Sequence, residues 1–440
     1  MRAMRSSSVD LPLWIPPALA APVVVGFSGG LDSTVLLHRL AGDRQVRARG
    51  LRAVHVHHGL QPAADGWAAH VQRVCVALDV PLQTHHARVH RDAGCGIEAA
   101  ARHARYAAFA GQLQPGDILA LGHHLDDQAE TFLLRALRAS GIDGLAAMRP
   151  WRAHGTGWLW RPLLATPRAE LLHVARAQAL SWIEDPSNAG VDPDRNFLRH
   201  AVLPRLRERW PQAAEGLARS AGLAAQACDL LVDDDGALLA SARTGDPAVL
   251  LIDALRTLPL ARRARVLRHW IAALALPPLP AAGVTCVERM LATDVRDGDA
   301  CFDYAGIRVQ CWRNLLHAAP LRAPLPPGLD LEWDGITPLA LPDGGRLVLE
   351  GAPAGFGAPW RVHARRGGER IRLPGRSHQH SLKRVLQMSG VPRWDRAHLP
   401  LLSDGDGRLA AAGDVVLSAD FEQWLRSHGA RLRWTSPHRA

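Results

Sequence analysis

The chain has 440 residues, 48% of them hydrophobic, which is enough for two or three cored domains and too much for one. Its 52 basic residues outnumber the 42 acidic ones for a net charge of +10, and Lys383 is the single lysine. No apolar run is long enough to cross a membrane, so a spanning role is excluded, while the excess charge leaves a polyanionic partner open.

At the start of the chain, the apolar stretch "LPLWIPPALAA" is broken by Pro12, Pro16 and Pro17, so a cytoplasmic protein is expected rather than a secreted one. Val23–Val25 is a β-branched run that suits a buried strand, and a helix is expected over 32–41. Strands follow at 51–59, 81–89 and 117–124, alternating with helices at 66–80, 97–113 and 125–139. This alternation predicts an α/β fold with a doubly wound, mostly parallel sheet. Ligands then sit beyond the carboxyl ends of the strands, where the loops at 28–33 and 122–127 fall. Ala, Leu and Arg dominate 212–320, which reads as a helical region. Residues 320–360 read as a linker with short strands, and 360–435 as a small α+β block. The expected domains are 1–215, 216–325 and 326–440.

The loop Ser28-Gly29-Gly30-Leu31-Asp32-Ser33 joins the first strand to the first helix. Glycines let backbone approach an anion closely, and amides at a helix N-terminus favour negative charge. Ser28, Ser33 and Thr34 add hydroxyl donors. Asp32 would repel a bare phosphate, but makes sense if magnesium bridges it to phosphate oxygens; otherwise it only caps the helix. In "GHHLDDQAET", His123 and Asp127 lie four apart and Asp127 and Glu130 three apart, sharing one helix face. Clustered carboxylates repel one another, so something cationic is expected to compensate, in a pocket for magnesium or for an amine substrate; otherwise they form a solvated acidic face at a helix N-terminus. The histidines at 55, 57, 58, 85, 86, 123 and 124 lack a matching cysteine or carboxylate set for a transition metal. The cysteines at 75, 95, 228, 286, 301 and 311 include no C-x-x-C pair and read as reduced, structural thiols.

The first loop resembles the pyrophosphatase loop of the N-type ATP pyrophosphatases. The ordered series S-G-G-L-D-S (28–33), H-V-H-H-G-L (55–60), E-A-A-A-R-H-A-R-Y (98–106), H-H-L-D-D-Q-A-E-T (123–131), R-P-L-L (161–164) and E-D-P-S-N…R-N-F-L-R (184–199) is far more specific. It resembles the tRNA(Ile)-lysidine synthetase family, as does the segment from "RRGGERIRLPG" to "SLKRVLQMSGVPRWDRAHLPLL". The resemblance implies that ATP adenylates the wobble cytidine of a tRNA(Ile) with anticodon CAU, and that free L-lysine then displaces AMP at carbon 2. It implies that Ser28, Gly29, Gly30, Leu31, Asp32 and Ser33 bind ATP, with Asp32 on magnesium and His55 beside the adenosine. Asp127 and Glu130 would receive the lysine, Arg195 and then Arg199 would meet an anion, and a carboxylate or His123 would take the amine proton. One departure is Ala139, where the family has glycine, which puts the local turn in question.

Between 361 and 400, ten basic residues face two acidic ones, for +8. Arg365, Arg366, Arg370, Arg372, Lys383 and Arg384 are the candidate tRNA-binding residues, since phosphates dominate such affinity. Trp394 lies among them as a core or base-stacking residue. Runner-up readings are a tRNA thiolase on the same fold, which the missing cysteine pair opposes, and an inactive RNA-binding protein. Whether the chain forms a homodimer stays open.

Overall fold

The computed structural model describes residues 21–57, 59, 63–87, 97–186, 190, 192–293 and 300–435, so His58, Leu60, Ser187 and Asn188 lie outside the described residues. Two compact units meet in sequence at Val232 and Asp233.

The first unit runs β1 (Val23–Gly26), α1 (Leu31–Gly42), α2 (Arg44–Arg49), β2 (Leu51–His57), α3 (Ala64–Ala77), β3 (Leu82–His86), α4 (Ile97–Gln112), β4 (Ile118–Ala120), α5 (Leu125–Leu137), α6 (Ile142–Leu145), β5 (Trp151–His154), β6 (Gly157–Trp160) and α7 (Arg168–Ala177). Its sheet has the order β3-β2-β1-β4-β6-β5. All neighbours are parallel except β5, which folds back antiparallel on β6 at the edge. Successive residues of β1 face opposite sides, as a strand requires. Val23 and Val25 join a core with Val35, Leu36 and Leu40 of α1, while Val24 joins another with Phe109, Leu119 and Leu159. Burial on both faces explains the unbroken β-branched run, each such side chain contributing roughly 1.5–3 kcal/mol. The direction of winding reverses between β1 and β4, so the loops that follow these two strands flank the switch point.

At the end of α5 the amides of Ala139 and Ser140 return to the carbonyls of Ala136 and Arg135. This double closure needs a left-handed residue at Ala139, whose φ is +53°. The turn therefore forms with alanine, at a cost of about 1–2 kcal/mol relative to a right-handed residue. Further on stand α8 (Asp194–Phe197), a π-turn (Leu198–Val202), α9 (Leu203–Arg209) and α10 (Ala213–Ala242). Pro204 lacks the amide that would return to the carbonyl of His200, which favours the wider π spacing there.

The second unit departs from the sequence expectation in two places. The helices Leu260–Ala273 and Ala281–Ala292 pack on a four-stranded antiparallel sheet formed by Val249–Leu251, Cys301–Tyr304, Ile307–Trp312 and Leu315–Pro320, which the helical reading of 212–320 omits. The stretch 320–360 is woven into the last core. Leu325, Trp333, Leu347 and Leu349 are buried with Val362, Leu401 and Trp434, and Asp330–Trp333 pairs with Trp360–His363. Trp394 stacks on His317, with ring centroids 4.4 Å apart and planes 7° apart, so its face is used inside the protein.

Candidate active site

The loop after β1 is held by its own short side chains. Ser28 Oγ lies 3.0 Å from Ser33 Oγ, Ser33 Oγ donates to the Gly30 carbonyl at 3.0 Å, and Thr34 Oγ1 donates to the Gly29 carbonyl at 3.2 Å. Gly29 has φ +82°, and a Cβ there would stand 2.6 Å from Ile183 Cδ1. The Ile183 amide donates to the Gly29 carbonyl, tying the 181–185 segment to the loop. Leu31 is buried under the loop as the first residue of α1. His55 Nδ1 lies 2.9 Å from the Phe27 carbonyl. A carbonyl only accepts, so Nδ1 carries the proton, and burial holds this ring below the usual histidine pKa. The geometry places His55 as a brace beneath the loop.

Gly122 brings the second loop against the first. A Cβ there would lie 3.0 Å from the Asp32 carbonyl carbon and 3.1 Å from the Ser33 nitrogen, so glycine lets the end of β4 approach the first turn of α1 without pushing its backbone away. His124 then caps α5: its amide donates to Asp127 Oδ2 at 3.0 Å and its Nδ1 accepts from the Asp127 amide at 3.4 Å. His124 Nε2 is 3.6 Å from Asp32 Oδ2 and 3.4 Å from Asp127 Oδ2, bridging the two carboxylates. Burial raises the pKa of Asp32; nearby Asp127 raises it further, and His124 offsets only part of this. Asp32 Oδ1 is buried without a hydrogen-bond partner.

The cationic groups that meet the acidic helix in this structure are arginines, which the sequence reading of these carboxylates did not name. Arg195 Nε donates to Glu130 Oε2 at 2.7 Å and its NH2 to Asp127 Oδ1 at 2.8 Å. Arg199 Nε donates to Glu130 Oε1 at 2.6 Å, and its NH2 reaches Asp127 Oδ1 and Glu130 Oε2, both at 3.0 Å. Glu130 is fully buried. Burial alone would raise Asp127, but His124 and the arginines outweigh it and hold its carboxyl at about 2. Asp126 is spent elsewhere, accepting from the Arg168 amide at 2.8 Å and pairing with Arg207. His123 Nδ1 accepts from Arg161 Nε at 3.2 Å. Burial lowers its pKa to about 3, with Arg161 and Arg195 adding to the effect and Asp127 opposing it.

The structure thus gathers Ser28, Gly29, Gly30, Asp32, Ser33, His123, Asp127, Glu130 and Arg195 at the switch point, with His55 one layer below. Arg199 proves the equal of Arg195. His124 and Arg161 are the residues that sequence reasoning left without a role. The i, i+3 relation of His124 to Asp127 was a readable capping signal, whereas nothing near Arg161 foretold its burial.

The basic candidates fall into two groups. Arg365 lies 4.0 Å from Glu369, Arg366 lies 4.0 Å from Asp330, and Arg372 pairs with Asp420. The hairpin Arg370–Arg372/Gln379–Ser381 and the following helix Leu382–Met388 expose Arg370, Arg376, Lys383 and Arg384. Among the described residues these four have no carboxylate partner. Burial first, and then the charges of His378, Arg376, Arg384 and Arg370, lower the pKa of His380, so basic groups converge there.

A doubly wound sheet with a glycine-hydroxyl loop at its switch point defines a PP-loop ATP-binding domain, and the model for a PP-loop domain matches residues 13–206. Models described as the TilS substrate binding domain and the TilS substrate C-terminal domain match 250–317 and 360–434. The chain is 53% identical to the tRNA(Ile)-lysidine synthase of Xanthomonas campestris pv. campestris, over 96% of this chain and 97% of that one. It is 52% identical to the synthase of Xylella fastidiosa strain 9a5c, over 98% of each. For Pseudomonas aeruginosa PAO1 the identity is 43%, over 94% of this chain and 93% of that one. The chain belongs to the tRNA(Ile)-lysidine synthase family.

Proposed function

We propose that this chain ligates lysine to carbon 2 of the wobble cytidine of a tRNA(Ile) with anticodon CAU, with ATP as the energy source. The observation that carries this reading is the juxtaposition, across β1 and β4, of an anion-binding loop and a buried carboxylate pair. The cytosine O2 attacks the α-phosphorus of ATP and pyrophosphate leaves. The lysine ε-amine then attacks carbon 2 and AMP leaves. The adenylation is needed because an amide-like oxygen is a poor leaving group.

Ser28, Gly29, Gly30, Leu31 and Ser33 form the cradle for the departing phosphates. Asp32 is suited to magnesium, because its orphaned Oδ1 lacks a cationic or donor partner, and a single carboxylate with phosphate oxygens is an ordinary set for this ion. Among the described residues no group of three or more ligating side chains would hold a metal unaided, which agrees with an ion that arrives with ATP. Magnesium bound there supplies charge neutralisation to the phosphates. Asp127 and Glu130 receive the lysine ammonium once Arg195 and Arg199 turn toward the phosphates. Arg365, Arg366, Arg370, Arg372, Lys383 and Arg384 lie on the tRNA-binding surface. The division at about 215 and 325, and a cytoplasmic location, belong to the same reading.

The test is incorporation of radiolabelled lysine into a tRNA(Ile) transcript with a CAU anticodon, beside the matching initiator tRNA(Met). ATP-dependent labelling of the first alone is expected. Pyrophosphate release without labelling would point to another nucleophile.

A further inference from the structure

His123 stands at the end of β4, next to the glycine that touches the phosphate loop, yet its chemistry is decided from behind. Arg161, directly after β6, is 5% exposed; its NH1 donates to the Arg149 carbonyl at 2.6 Å and its Nε donates to His123 Nδ1 at 3.2 Å. A guanidinium has donors only and keeps its proton. Nδ1 must therefore offer a lone pair. In a neutral imidazole with Nδ1 as acceptor, the one proton sits on Nε2. A second proton would set N–H against N–H.

Burial is the largest influence on the ring, and the charged groups that face it divide, with Asp127 the strongest of them. Arg161 after β6, Arg195 on α8 and Arg102 on α4 disfavour a charged ring, and Asp127 on α5 alone favours it. With burial added, His123 is pushed down to about 3. Such a ring is a very weak base at neutral pH, whereas its Nε2–H is a fixed donor. Among the described residues Nε2 has no hydrogen-bond partner. His123 directly follows Gly122, which packs on the first turn of α1, and the charge of Asp127 acts on its ring, so the residue borders both the loop and the carboxylate pair.

We infer that His123 is a permanently neutral hydrogen-bond donor, locked as the Nε2–H tautomer by Arg161, and that it binds an acceptor oxygen of the substrates rather than taking the lysine proton. This rests on the reading that ATP and lysine meet at this site. The acceptor is a phosphoryl oxygen of the nucleotide, a carbonyl oxygen of the cytosine or a carboxylate oxygen of lysine. A neutral imidazole polarises such an oxygen without a proton transfer. Arg161 is then a positioning residue.

The experiment is nitrogen NMR of the full chain with 15N-imidazole-labelled histidine, the His123 signals being those that disappear in His123→Gln. The expected spectrum shows an unprotonated Nδ1, a protonated Nε2 and no titration between pH 5 and 8.5. A ring protonated on Nδ1, or one that titrates near pH 6.5, overturns the inference. A nonhydrolysable ATP analogue, lysine and a CAU-anticodon stem-loop are then added separately. The one that moves the Nε2–H resonance downfield names the acceptor, and no movement with any of them overturns the donor role.

In turnover, His123→Gln, which keeps an N–H near the same place, is expected within about tenfold of wild type with an unchanged pH profile. His123→Ala loses on the order of 10²–10³ in kcat, the usual cost of one positioned donor. A glutamine variant as poor as alanine, with the acid limb of the profile gone, marks a base and refutes the inference. Failure of the wild type to incorporate lysine would sink the proposed reaction alone, since the tautomer and the titration are read without turnover.

Discussion

Asp32 pits stability against chemistry. Its side chain is one-third exposed, one carboxylate oxygen has no partner, and burial raises its pKa above the ordinary 3.8. For an acid, a raised pKa in the folded state means that the folded chain binds the proton more tightly than the unfolded one. The ionised form therefore costs stability above the folded pKa, and the cost fades as pH falls through it. Asp32→Asn removes the charge and keeps the shape. It is expected to raise the thermal midpoint at pH 7 by a few degrees, while pyrophosphate release falls to background. Turnover that survives would remove Asp32 from the proposed metal-bridging role, and a lower midpoint would show that its charge does not cost stability. This residue was legible in the sequence because a carboxylate in an anion loop calls for a cation. Arg161 was not, because "RPLL" gives no sign that its arginine lies buried against a histidine 38 positions earlier.

At the level of elements, the acidic face of α5 and the arginines about the π-turn form one unit of two negative and two positive charges. Arg195 and Arg199 are four apart, and both reach Asp127 and Glu130. The spacing of the carboxylates predicted a cation, read from the sequence as magnesium or an amine substrate and not as a group of the protein itself. In this structure the protein supplies it, so on the proposed reading lysine competes with guanidiniums for the same oxygens. Phosphates are the natural alternative partner for two arginines. Lysine affinity, measured by calorimetry, is therefore expected to rise at least tenfold with a nonhydrolysable ATP analogue and magnesium. Arg199→Gln should tighten lysine binding without nucleotide and shrink that enhancement. Equal affinities with and without the analogue would place the lysine elsewhere. The alternating strands and helices before α6 were legible because buried parallel strands and amphipathic helices have distinct periods. The edge strand β5 and its neighbour β6 were not read because they are short, and their tryptophans suit a core as well as a strand.

Over the whole chain, the sheet at 249–320 was hidden by an Ala-, Leu- and Arg-rich text in which the strands are three to six residues long. Similarly, 320–360 looked like a linker because its glycines and prolines turn the chain between strands that pair with distant partners, as Arg346–Glu350 does with Arg431–Thr435. The charge was plainer. A net +10 is spread over the sequence, but many arginines answer a local acid: Arg361 binds Asp330 and Glu332, Arg263 binds Glu288, and Arg308 binds Asp303. Such pairs cancel at a distance and contribute little to long-range attraction. Arg370, Arg376, Lys383 and Arg384 are exposed with no acid to cancel them among the described residues, so the field of this hairpin and helix extends outward. Replacing Arg370, Arg376 and Arg384 together by glutamate should therefore weaken tRNA binding by more than tenfold at moderate salt. It should also flatten the logarithmic salt dependence by roughly one for each tRNA phosphate that is no longer neutralised. Affinity for the ATP analogue should not change, because the phosphate loop belongs to the other unit. The same triple change at Arg263, Arg308 and Arg361 removes as much formal charge from ion pairs, and should flatten the salt dependence far less. If both triples behave alike, net charge alone attracts the tRNA and the hairpin has no special part in it.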